Sequence, residues 1–530
     1  MISTANRYIS ILLTSIICLY NLSASAQKKS KVDIKNSDVV QFVRNSDPTL
    51  NKFLGNVFIV HGDIKMYCDS AYQYDKTNTL EAFGKVHIIN ADTVHIYGDY
   101  LKYYGNTKYA ELRNNVKLKN KSVTVTTQFL DFDMTESVGY YFNGGKIVDA
   151  DNILTSVVGR YYTKQEMLFF KDSVKAVTTD YTLYSDTLKY NTVSKVAFIL
   201  GPTKIVGEKE TLYSEDGWYN TESNISQFFK NTRLDTKSYQ IKGDSIYLDR
   251  NNELARIFDN VELRDTANNL ILKGNFLETF KNNEEALMTD SAVFIQYTEG
   301  DSLFLHSDTL KIDKDTAHFE RIKAFHHVKF YRTDMQGICD SLVYTMQDST
   351  IRLFNDPVIW AQGNQMVADT IGIETQNEAI RYLHFRGSSF LTAKEDTTFY
   401  NQIKGKNMLG HVKDNKLYKL DIKGNGETLY YPEDKGIIMG MNIAKSSNIS
   451  ILIENNKIDK IIFLKKPDGN MHPLFKIDEK MKFLKDFQWL EEYQPKSKEE
   501  IFIWKEYIPI RELNASPKKL IKKPIKKGTL

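Results

Sequence analysis

The chain has 530 residues, with 70 Lys and Arg against 67 Asp and Glu and a formal net charge of +3. That balance gives no global pull toward nucleic acid or any other polyanion. Ten prolines alongside 31 tyrosines and 29 phenylalanines exclude a largely disordered chain.

Arg7 precedes an apolar run from Ile9 to Leu22 that ends in Ala24-Ser25-Ala26. This is the pattern of a secretory signal peptide, residues 1–26, with cleavage expected after Ala26. The run is about 14 residues, short of the ~20 that a bilayer span needs. Cys18 follows Ile17 rather than a small residue, which argues against lipid attachment there. Residues 27–52 read as an N-terminal linker, and no later stretch is apolar enough over a membrane-spanning length.

From Gly55-Asn56-Val57-Phe58-Ile59 onward, turn residues followed by a pair of apolar positions two apart recur about every 29 residues. The pairs are Val57/Ile59, Val86/Ile88, Val116/Leu118, Gly145/Ile147, Val174/Ala176, Thr203/Ile205, Thr232/Leu234, Val261/Leu263, Val293/Ile295, Val328/Phe330, Val358/Trp360 and Ser388/Phe390. A second marker lies further into most units and reads Asp-x-Leu-x-Tyr, as in Asp99-Tyr100-Leu101-Lys102-Tyr103, Asp186-Thr187-Leu188-Lys189-Tyr190, Asp244-Ser245-Ile246 and Asp308-Thr309-Leu310. Both markers alternate apolar and polar with period two and are separated by Asn, Asp and Gly, so they predict strands and turns. A single unit cannot bury its apolar face, so neighbours must stack. The expectation is an all-β, elongated, twisted stack of about twelve units over residues 53–410. Cys68 and Cys339 occupy the same place in the first and tenth units, too far apart in such a stack for a disulfide.

The recurring Gly-Asn-Val-x-Ile and Gly-Asp-x-Leu-x-Tyr units behind a signal peptide resemble the LptA/OstA family of periplasmic lipopolysaccharide-transport proteins, in particular the long OstA-like proteins of Bacteroidetes-type bacteria. The resemblance implies a twisted, partly open β-jellyroll whose copies join end to end by their strands. It also implies an apolar groove that shelters the acyl chains of lipopolysaccharide (lipid A), in the periplasm and in association with the outer membrane. On that reading the inward residues Val57, Ile59, Val86, Ile88, Leu101, Val116, Leu118, Leu188, Ile246, Val261 and Leu310 are the lipid-groove candidates. The alternative for the same residues is a closed core. No cofactor and no catalytic or metal-binding residue is called for.

Beyond Gly410 the repeat loses its register in the sequence. Residues 411–495 are expected to form a cap, with a hairpin of Ile449–Ile453 and Ile458–Leu464 around Asn455-Asn456. Met481, Leu484, Phe487 and Leu490 predict a short amphipathic helix over Glu479–Tyr493. Residues 496–530 form a basic tail, expected to be disordered, whose paired lysines offer contacts to an anionic membrane surface. Two rival functions remain at this point: a non-lipid envelope scaffold or adhesin, and a β-helical enzyme acting on polysaccharide through stacked carboxylates. His326-His327 is an adjacent histidine pair without further ligands at zinc-like spacing.

Overall fold

The computed structural model describes residues 31–43, 50–149, 152–280, 285–297, 301–314, 320–376, 379–396 and 398–505. The expected signal peptide and the tail from residue 506 onward lie outside the described residues. The chain divides into two compact units, Met1–Ile205 and Val206–Leu530, and each is considered by itself.

The first unit is an antiparallel meander. Its opening strands are β1 (Asp33–Asn36), β2 (Val39–Val43), β3 (Leu50–His61), β4 (Ile64–Tyr74), β5 (Thr79–Asn90), β6 (Val94–Tyr104), β7 (Tyr109–Asn120) and β8 (Val123–Asp133). Residues 27–52, read from sequence as a linker, instead carry β1, β2 and the start of β3; both short strands pair with β3. β1 reads Asp-Ile-Lys-Asn and carries little hydrophobic signal, whereas β2 reads Val-Val-Gln-Phe-Val, an apolar run without the period-two alternation that marks a strand. Asn78 Oδ1 also accepts from the Val32 backbone N–H at 3.1 Å, tying this edge to the body.

Each long strand bends in its middle. The pairing register slips between Leu54 and Val57 in β3, between Phe83 and Val86 in β5, and between Arg113 and Val116 in β7. At each slip two consecutive residues have positive φ: Gly55-Asn56, Gly84-Lys85 and Asn114-Asn115. Two left-handed residues in a row turn the strand through a corner, and Gly, Asn and Asp adopt that conformation at the least steric cost. The residue just after the corner points inward, which sets the phase of the rest of the strand.

The inside of each corner needs a small residue. That position, opposite the first inward residue, holds Cys68, Gly98, Thr127, Ser156 and Ser185 in the first unit. In the second unit it holds Ser214, Gly243, Gly274, Ser307 and Cys339. An added Cβ would stand 2.3 Å from Ile257 Cγ2 at Gly243 and 2.8 Å from Met288 Cγ at Gly274, so these two bends leave no space for a side chain, whereas at Gly98 the nearest atom would be 3.5 Å away. Cys68 and Cys339 are free thiols at this position, and burial is the first cause of the rise in the Cys68 pKa to about 12.

The second unit repeats the corners at Lys230-Asn231, Asp259-Asn260, Asp290-Ser291, His326-His327, Asn355-Asp356, Gly387-Ser388 and Gly424-Asn425. The last of these shows that the pattern runs past Gly410, through the strands Lys416–Tyr430 and Met441–Glu454. The strand Lys457–Leu464 pairs with Met441–Glu454 around Asn455-Asn456, forming the hairpin.

Three sequence pairs are out of phase. Ala292, Pro357 and Ser389 are the residues following their corners, so Val293/Ile295, Val358/Trp360 and Ser388/Phe390 sit off the inward face. Alternation could not reveal this, because both faces of these strands are apolar. The outward apolar residues are covered by the chain's own C-terminal segment, as Val358 and Trp360 pack with Leu490, and Phe390 with Leu484.

That segment is not the expected helix. Residues 473–505 form a strap with 3₁₀ turns at Leu474–Lys476, Glu479–Met481, Glu491–Tyr493 and Glu500–Phe502. Its apolar residues recur every three positions, which suits about three residues per turn better than 3.6. Asp486 has φ +74°, which also ends any helix there. Gln402 clamps the strap by donating to Lys482 O at 2.7 Å and accepting from Leu484 N at 2.8 Å. Gln365 does the same with Gln488 O at 2.8 Å and Leu490 N at 2.6 Å. Residues 496–505, read as the start of the tail, belong to this strap: Lys329 Nζ donates to Ile503 O at 2.5 Å.

Candidate functional site

All eleven sequence candidates point inward and are 2% exposed or less. In the first unit Val57, Ile59, Val86, Ile88, Leu101, Val116, Leu118 and Leu188 line the interior; in the second, Ile246, Val261 and Leu310 do. In this conformation the interior is closed, with side chain against side chain. Val261 additionally reaches a cavity of about 530 Å³ that lies under the strap, with Val293, Ile295, Phe304, Ile501 and Phe502 among its walls.

The acidic residue of the Asp-x-Leu-x-Tyr marker belongs to the corners. Asp99 Oδ2 accepts from Asn115 Nδ2 at 2.7 Å, and Asp244 Oδ2 accepts from Asn260 Nδ2 at 2.7 Å. Glu215 Oε1 accepts from Asn231 Nδ2 at 2.9 Å. Each carboxylate thus accepts a hydrogen bond from the exposed amide of one neighbouring bend, which explains why these residues recur along the chain and do not gather into a cleft. His326 and His327 are themselves a corner, facing different carboxylates: Asp340 at 3.0 Å and Asp308 at 2.8 Å. Among the described residues no group of three or more His, Cys, Asp or Glu side chains is placed to hold a metal ion.

Opposite the corners, the two ends of the bent strands meet along a polar seam. His61 Nδ1 lies 2.6 Å from the Tyr103 hydroxyl. Asn120 Nδ2 donates to the Tyr161 hydroxyl at 2.8 Å. The Tyr190 hydroxyl donates to Asp149 Oδ2 at 3.1 Å, and the same carboxylate accepts from Ser122 at 2.8 Å and from Lys195 Nζ at 2.8 Å. Burial lifts the Tyr161 phenol to about 12 and raises that of Tyr103 as well, so both stay protonated as latches at neutral pH. The seam was missed in the sequence, although its signal was there: His61, Asn90, Asn120 and Asp149 recur at the repeat spacing, and the last position of the second marker supplies the tyrosines.

The cross-section of each repeat is therefore apolar inside, small at the bend and, in the first unit, polar at the seam. These features define an all-β repeat protein whose distinctive element is an inward apolar column. Residues 29–186 and 178–244 match the model of the OstA-like protein family. A search of curated proteins returns no match. Among solved structures, the chain is similar to the crystal structure of LptH from Pseudomonas aeruginosa, described as the LptA homologous periplasmic component of the conserved lipopolysaccharide transport device. The identity is 16%, the TM-score 0.16, and the alignment covers 27% of this chain and 80% of that one.

Proposed function

We propose that the chain is a periplasmic lipopolysaccharide-transport scaffold for outer-membrane biogenesis, which shields the acyl chains of lipid A in the interior of its repeats and catalyses no reaction. The match of residues 29–186 and 178–244 to the OstA-like family supports this reading. The observation that carries it is the inward column, in which repeat after repeat supplies a large aliphatic residue such as Ile59, Ile88, Leu118 or Ile246. Exposing one acyl chain of twelve to fourteen methylenes to water costs on the order of 10 kcal/mol at ~0.8 kcal/mol per group, so a lipid in transit needs such shelter at every step.

Because the column is closed, loading requires the two half-sheets to part. The seam is the place where hydrogen bonds rather than the covalent corner hold them together. Partners on this reading are lipid A, other transport proteins joined end to end through edge strands, and an anionic membrane surface met by the Lys-rich residues 517–527 at the outer membrane.

The closed interior favours one other reading, a non-lipid envelope scaffold whose apolar column is plain core. Mass spectrometry of lipids extracted from protein purified out of its own envelope separates the two. Stoichiometric lipid A supports the carrier; protein free of lipid under conditions that retain bound lipid in a known carrier sinks it.

A further inference from the structure

Four inward positions that end the first strand of a repeat in the first unit are polar and buried: His61, Asn90, Asn120 and Asp149. Three are latched across the seam by a tyrosine 41 or 42 residues further on: Tyr103, Tyr161 and Tyr190. The residue 42 positions beyond Asn90 is Phe132, which has no hydroxyl to offer.

Asn90 is 6% exposed, and among the described residues its side-chain amide makes no hydrogen bond. The Asn90 amide is not among the fully buried side-chain atoms that lack a partner, so it still reaches solvent at the rim of the column. An amide is both donor and acceptor, so it matches hydroxyls and amides equally well. Val86 and Ile88 precede Asn90 on the same inward face, and the turn at Ala91-Asp92 follows it at the surface. Val94 pairs with both Asn90 and Asn120, so the two amides stand two strands, roughly 10 Å, apart along the seam. The column is thus apolar up to Asn90 and ends there in an unlatched polar group between two latched ones. That is the order of groups in an amphiphile whose chain lies inside and whose head lies at the rim.

We propose that Asn90 is a headgroup contact: its amide hydrogen-bonds a hydroxyl or amide on the sugar head of a lipid whose acyl chain lies against Val86 and Ile88. This rests on the carrier reading and adds to it a position where the head, and not the chain, is recognised. Phe132 keeps the rung open by leaving the amide free for the ligand.

The test uses the full chain with two probes, lipid A and palmitate, titrated against wild type, Asn90→Leu and Phe132→Tyr. Asn90→Leu is expected to weaken lipid A about tenfold, the share of one hydrogen bond, and to leave palmitate unchanged. Phe132→Tyr should act in the same direction, since a hydroxyl there competes for the amide. Unchanged palmitate binding also reports that each variant is folded. If Asn90→Leu and Phe132→Tyr bind lipid A as wild type does, or lose both probes equally, the headgroup contact is overturned while the carrier stands. Wild-type protein that binds neither probe overturns the carrier, and the contact with it.

Discussion

Lys195→Met should loosen the seam at one defined place. Lys195 Nζ lies 2.8 Å from Asp149 Oδ2, and the Asp149 side chain is fully buried. Removing one partner of a buried pair costs roughly 3–5 kcal/mol, because the remaining charge is left uncompensated. Two features reduce that figure: Lys195 is 29% exposed, and Asp149 keeps the hydroxyls of Ser122 and Tyr190. A cost of about 2–3 kcal/mol follows, which is roughly a 30- to 150-fold rise in local opening. Repeat proteins open locally, so the suitable assay is amide hydrogen exchange, reading Gly145–Asp149 against Leu50–His61 as an internal reference. The double variant Asp149→Asn/Lys195→Met removes both charges and should return to within about 1 kcal/mol of the parent. Exchange in Lys195→Met that changes less than about threefold would refute the reasoning, since the carboxylate would then not depend on that ammonium.

Three further outcomes follow from the corners, the strap and the outer face. Gly243→Val puts a side chain where even a Cβ would stand 2.3 Å from Ile257 Cγ2, so a urea titration should show a loss of about 1–3 kcal/mol, whereas Lys242→Ala beside it should stay within about 0.5 kcal/mol. Leu490→Ala in the cluster with Ile338, Val358 and Trp360 should release the strap by about 2–3 kcal/mol, seen as faster proteolytic cleavage within residues 473–505, and Gln365→Ala should act in the same direction. Desolvation, followed by the neighbouring His95, lowers the His87 pKa, so the folded chain holds fewer protons there than the unfolded one. Its stabilising share is present above the unfolded value of about 6.5 and is lost as the pH falls below that toward the folded value; thermal melts at pH 7.5 and 5.5 should differ less in His87→Gln.

The repeat and its inward face were legible because Val57/Ile59 and its successors alternate cleanly against polar neighbours. The corners were legible only in part. Turn residues such as Gly84-Lys85 stood out, but their role in setting the phase of the strand requires the positive φ of both residues. Where the strap covers the outer face, as at Val358 and Trp360, alternation disappears and the phase slipped by one residue. The strap itself was read as a helix from the right four side chains, Met481, Leu484, Phe487 and Leu490. A three-residue spacing over a short stretch does not distinguish an α-helix from an extended chain with 3₁₀ turns clamped by Gln365 and Gln402. The acidic marker carried two messages in one motif, since Asp99 serves a corner while Tyr103, four residues on, latches the seam. Nothing in a single sequence pairs Tyr103 with His61; that needs the bend which brings opposite strand ends together.

The central claim, that lipid travels against the inward column, is tested most directly by site-specific photo-crosslinking in the native envelope. A photoreactive residue at Leu101 or Ile246 faces the interior, and one at Lys102 or Tyr247 faces outward on the same strand. Lipid A adducts at Leu101 and Ile246, and none at Lys102 or Tyr247, is the predicted result. Adducts on both faces alike, or on neither, would contradict it and leave the column as the core of a scaffold.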